Sequence, residues 1–495
     1  MAGKNQDHIE FAGDYNLNHV FLHDHMGDMT DIKKMMVELN IYESIYKNAL
    51  TGSIVVADAQ NLIAKLEMQG TERISFTLST PGAIGDRSII NASEATGHPF
   101  HAYKITDRKQ LKPGTLMYTI HFGSREFMRN LRKKVSQAYN GPHDSIVNSI
   151  FLDENYLDSK KELTYEPCGN IDKIVVPNMR PFDAINMIAS KSIAEGGSGA
   201  VGYYFYETTK GFHFRSWSNM LSNKGGSSRK DIKQEFYYMP MNINDPDIDD
   251  KINHDFKSVE SYRFANTFHD VAANTMLGTY GHRVISHNLF DKSYDIKDYN
   301  YHNDFRFSAH TERSGRNKPE TFAIAESNVD EQIEDTVKGT SNVSDYSESR
   351  VSLQSTTQFL HNENTGSYGL DVAQDGKMTG KRIAQRAQVM QGTALKLTVK
   401  GQSYLEAGDL IDFKLRSIDE KNTDGAEDPH YSGKYVITKI RHQINPEKYT
   451  MALECAKDSV KQGYSETQFK IPTNTNIATL RNTYRDGEIT RDYGD

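Results

Sequence analysis

Four residues near the start of the chain have side chains that could bind a metal ion: His23, Asp24, His25 and Asp28. If this segment is a strand, His23 and His25 lie on the same face, as paired imidazole ligands require. No cysteine or further histidine follows at ligand spacing. A protein-held zinc or copper ion needs three or four such ligands, so we predict no metal site in this segment.

Residues 197–202 (GSGAVG) match the glycine pattern of a dinucleotide-binding loop. Such a loop needs a strand before it and a helix after it, so that the helix N-terminus faces the pyrophosphate. Here the order is reversed, because a helical pattern precedes the glycines and a tyrosine-rich strand pattern follows them. We therefore predict a helix-to-strand turn at these residues and no cofactor.

Catalytic nucleophiles and acids are also hard to find. Cys168 lies in a turn between Pro167 and Gly169, with no identifiable histidine partner, so a structural thiol is the expected role. The GxSxG, HExxH and Walker signatures are absent, and 66 acidic residues offer too many carboxylate pairs to select a catalytic one. The motif search therefore selects no catalytic residue.

Charge and cysteine content narrow the class of protein further. The net charge of −8 disfavours a nucleic-acid-binding surface, and the basic residues between 125 and 134 fit a solvated helix face. Two distant cysteines, Cys168 and Cys455, do not make a disulfide framework, which favours assembly in a reducing cytoplasm. We find no run of about 20 apolar residues and no signal-peptide core in residues 1–7.

Hydrophobic periodicity indicates two β regions separated by a mixed segment. Residues 14–122 and 395–456 contain short stretches in which apolar and polar side chains alternate, as half-buried strands do. Helical spacing begins at Ser124, and further helices are expected at 145–157, from Pro181, and at 258–276. A chain of 495 residues is too long for one core, and we expect several domains.

The predicted fold is a β-rich α+β multidomain protein, with a β domain near each end of the chain and an α+β insert between them. The short strands of 14–122 fit a small barrel or a sandwich. Five segments follow from this reading: a first β domain at 1–123, the insert at 124–304, an acidic polar insertion or linker at 305–377, a helix with the second β domain at 378–460, and an extended arm at 461–495. The acidic character of the linker is strongest at 326–367.

Four sequence segments, in this order, resemble the central baseplate hub protein of T-even-type myophages, and more distantly late control protein D and the hub part of type VI secretion spikes. Residues 36–46 with 52–58 look like the first barrel strands of that family, and 176–182 look like its helix start. Residues 406–413 and 433–442 look like its second barrel.

This resemblance implies that both β domains, near the two ends of the chain, are tube-like β-barrels. It also implies a homotrimeric ring in a contractile tail, which adapts the sixfold tail tube to the threefold central spike. The implied partners are a second and third copy of the chain, the central spike protein, the tail tube protein and baseplate wedge proteins, with DNA only passing through the channel and no membrane. The implied location is the virion baseplate, assembled in the host cytoplasm. The resemblance implies a structural protein and not an enzyme, and a virion-associated hydrolase that degrades cell wall or polysaccharide is the alternative. Strands of both β regions are the expected subunit contacts: Val37, Leu39, Ile41, Ile54, Val56, Leu397, Val399, Ile411, Phe413, Ile437, Ile440 and Met451.

Overall fold

The computed structural model describes residues 11–81, 89–96, 98–169, 171–195, 200–223, 228–229, 232–238, 251–266, 270–288, 292–305, 309–312, 344, 346–355, 360–362, 367–368, 379–383, 385, 392–417 and 427–461. The predicted arm lies outside these residues beyond Lys461, and so does most of the acidic stretch 326–367. Within the described part, no helix combines the length and the apolar character needed to cross a bilayer.

Strands dominate the described residues. In chain order they are β1 (Asn16–His23), β2 (Met29–Asp31), β3 (Met36–Ser44), β4 (Thr51–Asp58), β5 (Arg73–Ser79), β6 (Ile89–Ala92), β7 (Phe100–Lys112), β8 (Thr115–Gly123), β9 (Val135–Pro142), β10 (Leu163–Tyr165), β11 (Ile171–Met179), β12 (Tyr203–Thr208), β13 (Gly211–Ser216), β14 (Ser222–Asn223), β15 (Ser228–Arg229), β16 (Gln234–Tyr238), β17 (Val259–Asn266), β18 (Gly281–Asn288), β19 (Ser293–Asn300), β20 (Val351–Ser355), β21 (Leu360–Asn362), β22 (Ser367–Tyr368), β23 (Thr393–Lys400), β24 (Leu410–Leu415), β25 (Gly433–Ile444) and β26 (Tyr449–Lys457).

The helices are short by comparison. They are α1 (Leu62–Lys65), α2 (Arg125–Arg132), α3 (His143–Leu152), α4 (Pro181–Ala189), α5 (Trp217–Leu221), α6 (Lys251–Lys257), α7 (Val271–Met276) and α8 (Tyr301–Phe305). Residues 379–383 and 385 are also helical, within the range where the sequence predicts a helix before the second β region.

Strands from both ends of the chain join in one 14-stranded sheet. Its main path runs β17, β23, β26, β25, β3, β4, β8, β7, β5, β1 and β2, with β6 paired to β5 and the pair β24–β16 attached to β25. The two β regions meet where β3 and β25 pair antiparallel, from Lys439↔Ser44 to Ile444↔Leu39. We call this β3–β25 pair the seam.

A single hydrophobic core lies behind the seam. Leu39 and Ile54 of the first β region are completely buried in the same cluster as Val399 and Ile437 of the second. Each aliphatic side chain buried in this way contributes about 1.5–3 kcal/mol relative to leaving it exposed. The two β regions therefore cannot separate without exposing a core that they share.

The segment between the β regions builds its own smaller core. Helices α3 and α4 pack with each other and with strands β9, β11 and β12 around Ile150, Phe151, Ile185 and Phe205. Pro181 begins α4, where a missing N–H costs nothing and the fixed φ suits the first turn. This helix start and the β12–β13 hairpin agree with the sequence prediction of a mixed α+β segment.

The prediction of a β-rich fold is confirmed, but none of the sheets in the described residues closes into a barrel. The two tube-like barrels therefore stay a prediction. In the second β region, β16 pairs with β24 and β17 pairs with β23, so both strands join the main sheet although they lie in the range 124–304. An isolated bridge, Tyr237↔Ser258, joins β16 to the residue just before β17.

The helix predicted over 258–276 is wrong for most of its length. Residues Val259–Asn266 form strand β17, and only the short helix α7 lies in the second half of the range. Tyr262 and Phe264 are two residues apart and both pack against the main core, which is strand periodicity. The four-residue spacing of Phe264 and Phe268 suggested a helix, but pairing with β23 decides the conformation.

Candidate assembly site

The predicted ligand pair His23 and His25 is not brought together. His23 is buried at the end of β1, where its Nε2 lies 2.7 Å from the Ser75 hydroxyl, whereas His25 is exposed beyond the strand. Asp24 closes the intervening loop by accepting hydrogen bonds from the backbone N–H groups of Met26 and Asp28. In the described part of the chain, no three His, Cys, Asp or Glu side chains gather as a metal site would require.

The other residues singled out for their chemistry have structural surroundings. Glycines 197 and 199 lie outside the described residues, but β12 does begin directly after Gly202. Cys168 is buried, and burial raises the pKa of its thiol to about 12, which disfavours the thiolate that a nucleophile needs. On α2, Arg125 and Arg129 are held by Asp158 and by the backbone oxygens of nearby residues.

A buried carboxylate on the seam connects three parts of the chain. Glu43 lies near the end of β3, opposite Ile440, and its side chain is only 1% exposed. One carboxylate oxygen accepts a 2.8 Å hydrogen bond from the backbone N–H of Thr209, in the turn between β12 and β13. The other accepts a 2.8 Å hydrogen bond from the N–H of Ala407, in the turn before β24. Glu43 thus fixes both turns against the seam.

Histidine completes the surroundings of this carboxylate. The Nε2 of His442, on β25, lies 3.4 Å from Glu43, while its Nδ1 lies 2.7 Å from the Tyr449 hydroxyl. Burial by itself raises the pKa of Glu43, but the His442 ring and the two backbone donors outweigh burial and hold the pKa below its ordinary value of 4.5. The ionised form is therefore the one that the fold stabilises.

A second buried charge group holds the β12–β13 hairpin against the first β region. Glu207 accepts hydrogen bonds from the backbone N–H of Leu50 and from the Lys161 ammonium. Lys161 also lies 3.4 Å from Glu126, which accepts a hydrogen bond from the Ser159 hydroxyl. One lysine therefore balances two buried carboxylates.

A third carboxylate, Glu406, approaches the same hairpin from the second β region. It accepts a hydrogen bond from the Thr208 hydroxyl, and its Oε2 lies 3.2 Å from His213 Nε2. Through Glu43, Glu207 and Glu406, the β12–β13 hairpin contacts both β regions. We call Glu43, Glu207, Glu406 and Lys161 the hairpin clamp.

Sequence reasoning assigned no role to the residues of the hairpin clamp. Glu43 and Glu406 lie inside the segments quoted for the hub resemblance, and the signal available was an acidic residue within a stretch of buried strand or turn. The hydrogen bonds that Glu43 and Glu406 accept from Thr208, Thr209 and Ala407 join residues 166 to 364 positions apart along the chain. Only the folded chain shows that these contacts converge on one hairpin.

Eleven of the twelve predicted subunit-contact residues lie inside the chain's own core. Each is no more than 2% exposed: Leu39, Ile41, Ile54, Val56, Leu397, Val399, Ile411, Phe413, Ile437, Ile440 and Met451. Val37 is the exception, with 42% of its surface exposed on β3. Contacts between subunits are not tested by a single chain, so this role stays a prediction.

A separate apolar surface is open to solvent on the sheet formed by β19, β18 and β20. Ile285 in the central strand lies beside Ile296 on one side and Leu353 on the other. Leu353 is 78% exposed, and Tyr294 on the same face is 69% exposed. Exposed apolar faces of this kind are typical of surfaces that other chains cover in an assembly.

We expect Gly408→Ala to lower the free energy of unfolding by about 2–4 kcal/mol, because the added methyl group both strains the backbone and overpacks the site. The backbone there has φ +91°, and an added Cβ would clash with the Tyr206 hydroxyl and with Arg215 Nη2, which belong to buried side chains. Gly114→Ala is the matched control, since Gly114 has φ +84° but no atom within 4 Å of the added carbon. Urea unfolding of both variants separates the backbone cost from the packing cost, and equal losses would contradict the packing argument.

No family model and no curated protein matches the chain. Among solved structures, the chain is similar to the 43 kDa tail protein of a Shewanella oneidensis prophage, with a TM-score of 0.47, 9% identity, and coverage of 90% of this chain and 99% of that one. A tail protein from Neisseria meningitidis gives a TM-score of 0.46 at 9% identity, covering 90% and 97%. A component of the E. coli type VI secretion system gives 0.39 at 10% identity, covering 87% and 75%. TM-scores below 0.5 at 9–10% identity carry no conclusion about the assembly or the partners of this chain.

Proposed function

We propose that this chain is a structural subunit of a contractile phage tail, a homotrimeric baseplate hub between the sixfold tail tube and the threefold central spike. The observation that carries the proposal is the seam. Six residue pairs join β3 to β25, and a common core lies behind them, so the two β regions form one continuous sheet. A hub of this kind needs each subunit to hold two β modules at a fixed angle.

Two β regions in one chain allow a trimer to match partners of different symmetry. Three copies of a chain with two β regions present six β regions around one axis, so a trimer can match a sixfold ring on one face and a threefold spike on the other. In this proposal the α+β segment lies on the spike side, and its position is fixed by the hairpin clamp. The tail tube, the spike and the baseplate wedge proteins are the proposed partners, and the virion baseplate is the proposed location.

Sheet edges and exposed apolar residues supply surfaces for the subunit contacts. Among the described residues, strand β2 ends the path of the main sheet, and edges of this kind are satisfied when another chain covers or pairs with them. Val37 is the member of the predicted set whose side chain reaches solvent, so it is the one proposed to touch a neighbouring subunit directly. The eleven buried members hold the strands that carry the contact.

Light scattering coupled to size-exclusion chromatography tests the proposal. We expect a particle of about three times the 56.1 kDa chain mass, and Val37→Glu should shift it toward the monomer by burying a charge in the contact. A wild-type protein that stays monomeric at every accessible concentration contradicts the hub. Turnover of peptidoglycan that one acidic substitution abolishes would favour the hydrolase instead.

A further inference from the structure

Two buried polar atoms from distant parts of the chain have no hydrogen-bond partner among the described residues. One is Nε1 of Trp217, which begins α5, and the other is Oε1 of Gln385, in the helical residues 379–383 and 385. Trp217 is 1% exposed and Gln385 is 8% exposed. A donor or an acceptor that leaves water without a new partner loses its solvation, and folded proteins rarely tolerate this. Each of the two atoms therefore needs a partner.

Both side chains line the same small cavity. The cavity has a volume of about 10 Å³, and its wall also includes Tyr299, Tyr301 and His310. A space of this size is close to the smallest that holds one water molecule, and it is too small for a larger ligand. Proteins keep water in buried cavities where it bonds to polar groups that have no other partner.

The chemistry of the two atoms selects the ligand. The indole nitrogen of Trp217 can only donate a hydrogen bond, and the amide oxygen of Gln385 can only accept one. Water does both. A metal cation would leave the indole N–H unpaired, and the buried side chain of Lys381, which also lines the cavity, disfavours a second positive charge. An anion such as chloride would leave the amide oxygen unpaired.

The cavity lies where several segments of the chain meet. Trp217 directly follows β13, and Tyr299 lies near the end of β19. His310 Nδ1 lies 2.9 Å from the carboxylate of Asp458, the residue after β26. Gln385 belongs to the helical residues that precede β23. A molecule bound in the cavity therefore connects the α+β segment with residues that lead into the second β region.

We propose that one water molecule occupies this cavity, accepting a hydrogen bond from Trp217 Nε1 and donating one to Gln385 Oε1. The water pairs both buried atoms and holds the helical residues before β23 against α5. The inference does not depend on the hub proposal, because the cavity lies within a single chain.

A crystal structure at a resolution that shows ordered water is the direct test. We expect one density peak in the cavity, about 2.7–3.2 Å from Trp217 Nε1 and about 2.5–3.0 Å from Gln385 Oε1. A cavity without a peak overturns the inference, and so does a protein atom bonded to either of these atoms. A peak with the coordination distances of a metal ion would overturn it as well.

The variant Gln385→Leu tests the same site in solution. It removes the amide with little change in volume, so the water loses its acceptor. We expect the equilibrium constant for unfolding to rise about 5- to 30-fold. Trp217 is the only tryptophan in the chain, so its fluorescence reports on the cavity alone. Its emission should move to shorter wavelength in the variant, because the indole then lies in less polar surroundings.

The matched control is Gln402→Leu. Gln402 is also buried, but its amide donates a 2.8 Å hydrogen bond to the backbone oxygen of Phe256 and does not line the cavity. This variant should lose stability as well, while the emission of Trp217 stays unchanged. A Gln385→Leu protein that is at least as stable as wild type would show that the amide oxygen has no partner, and the inference would be wrong. A loss of stability without any change in emission would also contradict it.

Discussion

Replacing Glu43 by alanine is expected to lower the free energy of unfolding by about 3–5 kcal/mol at neutral pH. This is the typical effect of removing one member of a buried, charged group of partners. The change leaves the backbone N–H groups of Thr209 and Ala407 without their acceptor. It also leaves His442 facing an empty space where the carboxylate lay 3.4 Å away. Urea unfolding followed by circular dichroism measures the loss.

The matched control is Glu38→Ala on the same strand. Glu38 pairs with Arg441 across the same seam, but its side chain is 26% exposed and that of Arg441 is 43% exposed. Partly solvated pairs contribute about 0–1 kcal/mol, so this variant should stay close to wild type. Equal losses in the two variants would show that Glu43 has no special role in joining the three parts of the chain.

Acidic pH should remove the stability that the ionised Glu43 carboxylate contributes. Because the folded state holds the pKa of Glu43 below 4.5, the ionised carboxylate contributes stability above about pH 4.5, and that contribution is lost as the pH falls below it. The difference between wild type and Glu43→Gln should therefore shrink as the pH is lowered from 6 toward 3. A difference that stays constant over this range would contradict an ionised Glu43.

Lys161→Met is also expected to lower the free energy of unfolding by about 3–5 kcal/mol at pH 7, for a different reason. The lysine neutralises both Glu126 and Glu207, which are each about 1% exposed. Without it, two buried carboxylates repel each other with no counter-charge. Lowering the pH toward 5 should recover part of the loss, because one of the two carboxyls then binds a proton.

The neighbouring residue Lys160 provides the control for this variant. Its ammonium lies 2.8 Å from Asp158, but its side chain is 64% exposed, so Lys160→Met should change stability by about 0–1 kcal/mol. The measurement is the urea midpoint of both variants at pH 7 and pH 5. A Lys161→Met protein as stable as Lys160→Met would mean that the two carboxylates are already protonated in the fold.

Much of the local structure follows from the order of residues in the chain. Alternation in β3, the apolar run in β4 and the proline that begins α4 predict two strands and a helix that the structure contains, because these signals lie among neighbouring residues. Strand β17 shows the limit of this reasoning. Its Phe264 fits both a strand and a helix, and only the partner strand β23, more than a hundred residues later, selects the strand.

The seam and the hairpin clamp could not be predicted for the same reason. Ser44 and Lys439 pair directly, although nearly the whole chain lies between them. No local pattern records a pairing at that distance. Glu43 could be noticed as a carboxylate in a buried strand, but its donors, Thr209 and Ala407, are ordinary turn residues that nothing in the sequence connects to it.

The proposed hub function requires that the β regions and the α+β segment hold fixed positions relative to one another. A shared core behind the seam fixes the two β regions relative to each other, and the hairpin clamp fixes the α+β segment against both. Loss of Glu43 or Lys161 should therefore weaken assembly as well as folding.

End-on electron microscopy of the purified particle tests the central claim most directly. The account predicts class averages of a ring with an open centre, six β lobes around it, and threefold symmetry when the lobes are distinguished. A compact particle without a channel, or one with twofold symmetry, would contradict it.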